Sequence, residues 1–418
     1  MSGTAGSGRI RAIPGSRASS LLLPGGLTLG LLAARVAAAP PLSDPLGRPL
    51  PPDLHLIAPS SYVVLSPIYS LWDGVAMLSM SRLHGFLIGL ALLYAAWRIL
   101  RLLRRRRLDL REEGGALVAA VVTLAVFVGG GLVSHRPMVK LANVGSDWAV
   151  VDFHSHTNAS HDVRGTAMGG FDTEKNLAWH RRAGFDAVFV TDHNTTAGLV
   201  PTDVEVALCR GREVSAWRAH IVLLGGELDS VRGPYRRDWT GLRLLLADAD
   251  TAYGALAVAS IPEYERNHWG RLDSLVEAGL DGFEIVNASP KANELTRARR
   301  DSVIALAERT GSFVVGVSDH HGWGATSMVW NLVEVPGWGS RPRQLCAGIL
   351  DALRSGFPGA MVVERHRLRP DDWWPAWLTP IGVVWETWRS MGWGMTAAWL
   401  MWIWALWVVG RTRYLPSS

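Results

Sequence analysis

Residues 150–162 read VVDFHSHTNASHD, an apolar, β-rich start followed by His154, His156, His161 and Asp162. His154 and His156 are two positions apart on what reads as an extended chain. Both rings therefore fall on one side and can hold one ion together. A lone His-x-His is a weak signal, but three later stretches add to it. TDHNT at 191–195 puts His193 at a strand end. GREVS at 211–215 offers Glu213, and RAHIVLLG just after it offers His220. GVSDHHGWG at 316–324 offers Asp319, His320 and His321. Imidazoles and carboxylates without thiolate suit zinc, manganese or iron. A carboxylate among them can bridge two ions, and paired ions are a common device for phosphoester hydrolysis.

The region around these motifs has its own rhythm. Strands are predicted at 149–153, 186–194, 219–224, 256–260, 283–286 and 313–317. Helices are predicted at 173–184, 240–252, 269–278, 292–310 and 342–354. Such alternation argues for an α/β domain with a mainly parallel sheet. His154, His193 and Asp319 then sit at strand ends, where α/β barrels build their sites. Other residues have plainer readings. His180, beside Arg181 and Arg182 on a helix, and His366, between Arg365 and Arg367, read as surface groups. Asp192 reads as orienting His193 or capping its turn, and His320 as standing behind the ligands. Arg164 is a candidate contact for a substrate phosphate, against the plainer reading as a loop charge.

Taken together, DFHSHTNAS, TDHNT, Glu213 and SDHH resemble the polymerase and histidinol phosphatase (PHP) family of metal-dependent phosphoesterases. The resemblance covers roughly 149–365. It implies a distorted (β/α)₇ barrel with two or three divalent metal ions at the C-terminal ends of the strands. It implies that His154, His156, Glu213 and Asp319 hold one ion, with Glu213 bridging, and that His220 serves a second. His193 and His321 would serve a third, with Asp162 or His161 nearby. Of these, Glu213, His193 and His321 carry the implied catalytic roles. One departure stands out. The family places a histidine before proline in its third motif, and here VASIPEYERN has Ile261 before Pro262. Glu263 or His268 would have to take its place. FEIVNAS, with Glu284 and Asn287, matches a region that lines the family's site.

Outside this region the chain turns apolar. The 418 residues are 48% hydrophobic with a net charge of +5. Residues 115–134 and 391–409 carry no charge, and 83–103 are apolar up to Arg98 and Arg101. All three are long enough to span a bilayer. Residues 1–39, with Arg9, Arg11 and Arg17 ahead of an apolar run, read as a signal peptide or signal anchor. Residues 40–82 read as a Pro-rich linker (40–52) and an interfacial or re-entrant piece. The loop 104–112, RRRRLDLRE, should stay in the cytoplasm, since arginine clusters set orientation. The 149–370 domain would then lie outside, between the 83–134 helix pair and a Trp-rich 371–418 segment that returns to Arg411 and Arg413. A multi-pass inner-membrane protein with a periplasmic domain is the expectation. Its partners are a phosphorylated substrate and the membrane. Nucleic acid is not expected, because no aromatic-basic interleaving appears. Two cysteines, Cys209 and Cys346, make no metal site, and a disulfide between them is left open. The function expected is hydrolysis of a phosphoester by a metal-activated water. The alternative is a catalytically weakened module that binds metal or a phosphorylated ligand, to which Ile261 would point.

Overall fold

The computed structural model describes residues 21–105, 109–133, 136–324 and 326–412. Arg9, Arg11, Arg17, Arg106, Arg107 and Arg413, used above to orient the chain, lie outside the described residues. The chain begins with helix α1 (Leu22–Val36), strands β1 (Leu42–Ser43) and β2 (His55–Ile57), and short helices α2 (Ser60–Val64) and α3 (Ser66–Ala76). Two long helices follow, α4 (Met80–Arg105) and α5 (Leu110–Val133). Then come β3 (Lys140–Ala142), β4 (Trp148–Ser155), α6 (His161–Arg164), α7 (Thr173–Arg182), β5 (Ala187–Val190), β6 (Ala207–Ala216) and β7 (Ala219–Leu224). The next elements are α8 (Trp239–Thr251), β8 (Leu256–Ala259), α9 (Glu263–Asn267), α10 (Leu272–Glu277), β9 (Gly282–Asn287), α11 (Arg297–Thr310) and β10 (Phe313–Val317). The chain closes with β11 (Val329–Glu334), α12 (Leu345–Arg354), β12 (Met361–Arg365), α13 (Thr379–Ser390) and α14 (Trp393–Thr412).

Local chemistry fixes several of these boundaries. Asp172 caps α7 by accepting from the Lys175 N–H, and Thr296 caps α11 by accepting from Arg299. Gly311 ends α11 in the left-handed conformation that favours glycine.

Ten strands form one curled sheet in the order β1-β12-β11-β4-β5-β6-β7-β8-β9-β10. The expected mainly parallel seven-unit barrel is not what the pairing gives. Parallel pairs join β4–β5–β6 and β8–β9–β10, while β6–β7, β7–β8, β4–β11, β11–β12 and β1–β12 are antiparallel. The reason at β6–β7 is the connection. Only Trp217 and Arg218 join the strands, both at positive φ, and a parallel pair needs a crossover of a dozen or more residues. The sheet curls until β4 meets β10. The Asp319 N–H donates to the His154 carbonyl at 2.9 Å, and the His156 N–H donates to that of His320 at 2.9 Å. Beside this seam, Asn331 Nδ2 donates to the carbonyls of Val151 and Gly316, while its oxygen accepts from the Gly316 N–H.

Alternation along β4 divides the core. Ala149, Val151 and Phe153 face inward with Phe189 and Val315, while Val150 packs outward with Leu177 and Trp179 of α7. A disulfide joins Cys209 of β6 to Cys346 of α12. The Pro-rich stretch contributes the edge strand β1, paired with β12.

Among the described residues, three helices are long and apolar enough to cross a membrane: Met80–Arg104, Leu110–Val133 and Trp393–Arg411. Gly85 and Gly89 bring α4 against the segment before α13, where a side chain at either would collide with the backbone of Ala376 or Trp377. At the far end of α4, Arg98 pairs with Glu113 and Arg101 with Glu112. Helix α1 has 15 residues and packs Leu31 and Ala34 against Trp388 and Trp399. Helix α3 carries Asp73, buried at 1% exposure. It meets Arg136 at 2.9 Å and Arg365 at 2.7 Å, and accepts from the Tyr62 hydroxyl at 2.6 Å. This ion cluster ties α3 to the sheet.

Candidate metal centre

The curl brings the ends of β4, β5, β6, β7 and β10 to one spot. His154 lies in β4 and His156 just beyond it. His193 follows β5, Glu213 sits within β6, and His220 lies on β7 opposite Ser215. Asp319 and His321 follow β10, and Asp162 comes from α6. Glu213 is placed by its own backbone: β6 pairs with His193 through an isolated bridge, and the Glu213 N–H donates to the Thr191 carbonyl at 3.1 Å. Asp319 takes a positive φ of 45°, a strained backbone for a non-glycine residue.

Three overlapping groups of donors are close enough to share an ion: His154, His156 and Glu213; His193, Glu213 and His220; and His156, Asp162, His193 and His321. The first group, with Asp319, can be tested for fit. Two donors about 2.1 Å from one tetrahedral ion lie about 3.4 Å apart. Here Nε2 of His154 and Nε2 of His156 are 2.9 Å apart. Glu213 Oε2 lies 3.3 Å from each of them, and Asp319 Oδ1 lies 3.5 Å from His154 and 3.3 Å from His156. These separations suit a small divalent cation. In the second group, Glu213 Oε2 is 3.1 Å from His193 Nδ1, and its other oxygen is 2.9 Å from His220 Nδ1. In the third, Asp162 Oδ2 is 2.8 Å from His321 Nε2 and 3.2 Å from His193 Nε2. Of the two alternatives His161 and Asp162, it is Asp162 that joins this group, beside His156.

The far sides of the rings are held as ligand imidazoles usually are. His154 Nδ1 faces Glu284 Oε1 at 2.7 Å, and His321 Nδ1 faces the Asp319 carbonyl at 2.8 Å. Each contact turns the opposite nitrogen toward the cluster. Glu284 is itself fixed by the Ile261 N–H at 2.9 Å and by Asn287 Nδ2 at 2.9 Å.

Taken as protein groups alone, the cluster is electrostatically polarised. Burial pulls the His154 imidazole down, but Asp319, Glu213 and Glu284 outweigh it and hold it well above its usual range. His220 rises to about 9 against its burial, through its hydrogen bond and charge attraction to Glu213. His321 also rises to about 9 against burial, through Asp319 and Asp162. His156 falls to about 3 because it is buried and faces the His321 charge. Glu213 stays well below the carboxylate range despite burial, because His154 and His193 surround it.

The structure also sorts the remaining candidates. Arg164 is exposed and donates to the carbonyls of Asn158 and Ala159, bracing the first-motif loop. Asp192 accepts from the backbone and hydroxyl of Thr157 at 2.6 and 2.7 Å, so it fixes the loops before His193. His320 turns its ring away, between Phe171 and Trp179. His180 is a correction: it is fully buried, with Nε2 2.8 Å from Asp152 and Nδ1 2.9 Å from the Asn176 carbonyl. Asp152 in turn accepts from the Ser318 N–H at 3.0 Å, next to Asp319. The two arginines after His180 suggested a solvated helix face, but the ring points inward. His366 is likewise only partly exposed and pairs with Glu386 at 2.8 Å. Of the two substitutes for the missing histidine, Glu263 Oε2 lies 3.8 Å from His220, while His268 turns to the Trp217 carbonyl at 3.1 Å.

A cleft of about 1190 Å³ opens beside His220. Arg212, Arg218, Arg232, Arg237 and Arg266 line it, and among the described residues none of the five is paired with a carboxylate. These arginines are scattered from β6 to α9 and form no run in the sequence.

No protein-family description matches the chain, and no curated protein matches it. Six chains among solved structures are similar in part, two of them as follows. PsfC from Pseudomonas syringae is 17% identical, with 46% of this chain and 84% of that one covered, at a TM-score of 0.32. An amidohydrolase from Chromobacterium violaceum, with bound sulfate and no metal, is 16% identical, with 53% and 98% covered, at a TM-score of 0.31.

Proposed function

We propose that the chain is a membrane-anchored, metal-dependent phosphoesterase. The observation that carries this reading is the set of separations among His154, His156, Glu213 and Asp319, with Glu213 shared by a second donor group. When bound, divalent ions (zinc, manganese or iron) would supply an activated water and stabilise charge on the phosphoryl oxygens. His154, His156, Glu213 and Asp319 would hold the first. Glu213, His193 and His220 would hold the second, with Glu263 beside His220. His321, braced by Asp162 and the Asp319 carbonyl, is placed to hold a proton for the leaving oxygen or to join His193 and Asp162 around a third ion.

The arginine cleft supports a negatively charged substrate, since unpaired guanidinium groups favour phosphate oxygens over neutral groups. The nearness of Glu263 to His220 supports an active second site over a weakened module. The test uses the purified full-length protein: metal content is measured, and hydrolysis of a generic aryl phosphate is followed. A protein that binds no divalent ion, or binds it and leaves the ester intact, would overturn the reading. Arg218→Ala and Arg232→Ala should each raise KM about fivefold, for about 1 kcal/mol of charge attraction at an exposed site, and less at high salt.

We infer further that the domain is extracytoplasmic. The disulfide supports this, because such bonds persist in oxidising compartments. So does the arrangement of the helices. The domain meets α4 at Met80 and α5 at Leu132, whereas Arg101, Arg104 and Arg111 cluster at the opposite end of the pair. Alkaline phosphatase fused after residue 145 should be active and the same reporter at 108 inactive; the reverse pattern would put the centre in the cytoplasm.

A further inference from the structure

An apolar pocket of about 260 Å³ lies between the domain and the outer ends of the long helices. Its walls include Trp72 and Ala76 of α3, Leu83 of α4, and Phe127 and Leu132 of α5. Asp319 and Trp323 also line it. Both belong to the metal centre's loop, and the Trp323 ring stacks on His321 with centroids 6.3 Å apart. The same loop is bonded to the helix end. The Gly324 N–H donates to the Leu132 carbonyl at 2.9 Å, and Arg136 donates to the carbonyls of Gly131 and Gly324. On the other side the Met80 N–H donates to the Pro290 carbonyl at 3.0 Å. The metal loop and the ends of two candidate spans are thus one packed unit.

A further cavity lies next to the pocket. A second apolar groove of about 520 Å³ shares Val75 and Phe127 with it and runs along α4 past Phe86, Leu90 and Leu93. From Leu83 to Leu93 the path follows about 15 Å of helix. A water-soluble phosphoester has no use for such a path. A hydrocarbon chain does, because its burial is favourable along the whole length.

We propose that this path holds the hydrocarbon chain of a membrane lipid, so that the substrate is a lipid phosphoester whose headgroup meets the metal centre while its tail follows α4 and α5 into the bilayer. The headgroup chemistry rests on the phosphoesterase reading; the tail site rests on the pocket alone. The test places the full chain, loaded with zinc or manganese, in phosphatidylcholine vesicles containing phosphatidic acid with a photoreactive group on its acyl chain. Cross-links should fall in 72–83 and 127–132, and long-chain phosphatidic acid should be hydrolysed in preference to the dihexanoyl form. Ala76→Phe should lower both the labelling and the chain-length preference about tenfold, as expected for keeping about two methylene groups out of an apolar site. Val128→Phe, filling the pocket from α5, serves if the first variant does not fold. Labelling confined to other surfaces, or hydrolysis indifferent to chain length, overturns the proposal even if the aryl phosphate is cleaved. Labelling in the pocket without hydrolysis of any ester keeps the tail site and sinks the phosphoesterase reading instead.

Discussion

Glu213→Gln tests the centre most directly. The side chain is 2% exposed, and its oxygens lie between 2.9 and 3.3 Å from nitrogens of His154, His156, His193 and His220. Glutamine keeps the shape, but it removes the charge and turns an NH₂ toward groups that need an acceptor. Losing one partner of a buried charge pair costs about 3–5 kcal/mol. At about 1.4 kcal/mol per decade, that is about two to three and a half decades of metal affinity. Because the carboxylate is shared, both ions should be weakened. At a metal concentration about a thousandfold above Kd, binding stabilises the wild type by about 4.1 kcal/mol, and a hundredfold weakening would leave about 1.4 kcal/mol. Metal analysis after dialysis and thermal melts with and without zinc measure both effects. Glu284→Gln is the contrast. It touches only His154 within the donor group, so it should weaken one ion by about tenfold to a hundredfold and spare the other. If Glu213→Gln folds, retains the wild-type number of ions and melts with the wild-type metal shift, the shared-carboxylate argument is wrong.

The remaining predictions follow from single contacts. Glu263→Ala should lower occupancy of the second ion with little effect on the first, read by metal titration, whereas His268→Ala should change neither; equal effects would mean that Glu263 is not the missing donor. Metal binding at neutral pH should release protons, because His220 and His321 titrate near 9 without metal and must give up a proton to ligate. Affinity should therefore rise with pH up to about 9. The same raised values mean that the metal-free protein draws stability from these ion pairs fully below about 6.5 and loses it as the pH climbs through about 9. Calorimetry in buffers of different ionisation enthalpy measures the protons released, and none at pH 7 would refute the coupling. His180→Leu leaves Asp152 buried without its imidazole partner and should destabilise the fold by about 1–3 kcal/mol in urea melts. A surface histidine would give almost no change.

The sequence marked the candidate donors, and the motif resemblance implied a division of them into three groups. His154 and His156 were legible because a two-residue period on a strand puts both on one face. His154, His156, Asp162, His193, Glu213, His220 and His321 fall into overlapping donor groups, and Asp319 lies 3.3 Å from His156. Within 149–370, the strands β6, β11 and β12 carried no such signal. In β6, ALCRGREVSA mixes Arg210, Arg212 and Glu213 into a strand whose charged side chains serve the site and the cleft, so no apolar run marks it. β11 and β12 lie past the last motif and pair antiparallel, outside the βα alternation of the preceding strands. Length and hydropathy alone marked the three apolar helices, since crossing a bilayer is a property of one segment. What only the tertiary structure decided depends on residues far apart in the chain. The curl of the sheet chose Asp162 over His161 for the third group and Glu263 over His268 beside His220. Packing turned His180 inward against two arginine neighbours, and it gathered five arginines from three segments into one cleft. A side chain's direction is set by the surfaces that meet around it, and those surfaces exist only once the sheet has closed β4 against β10.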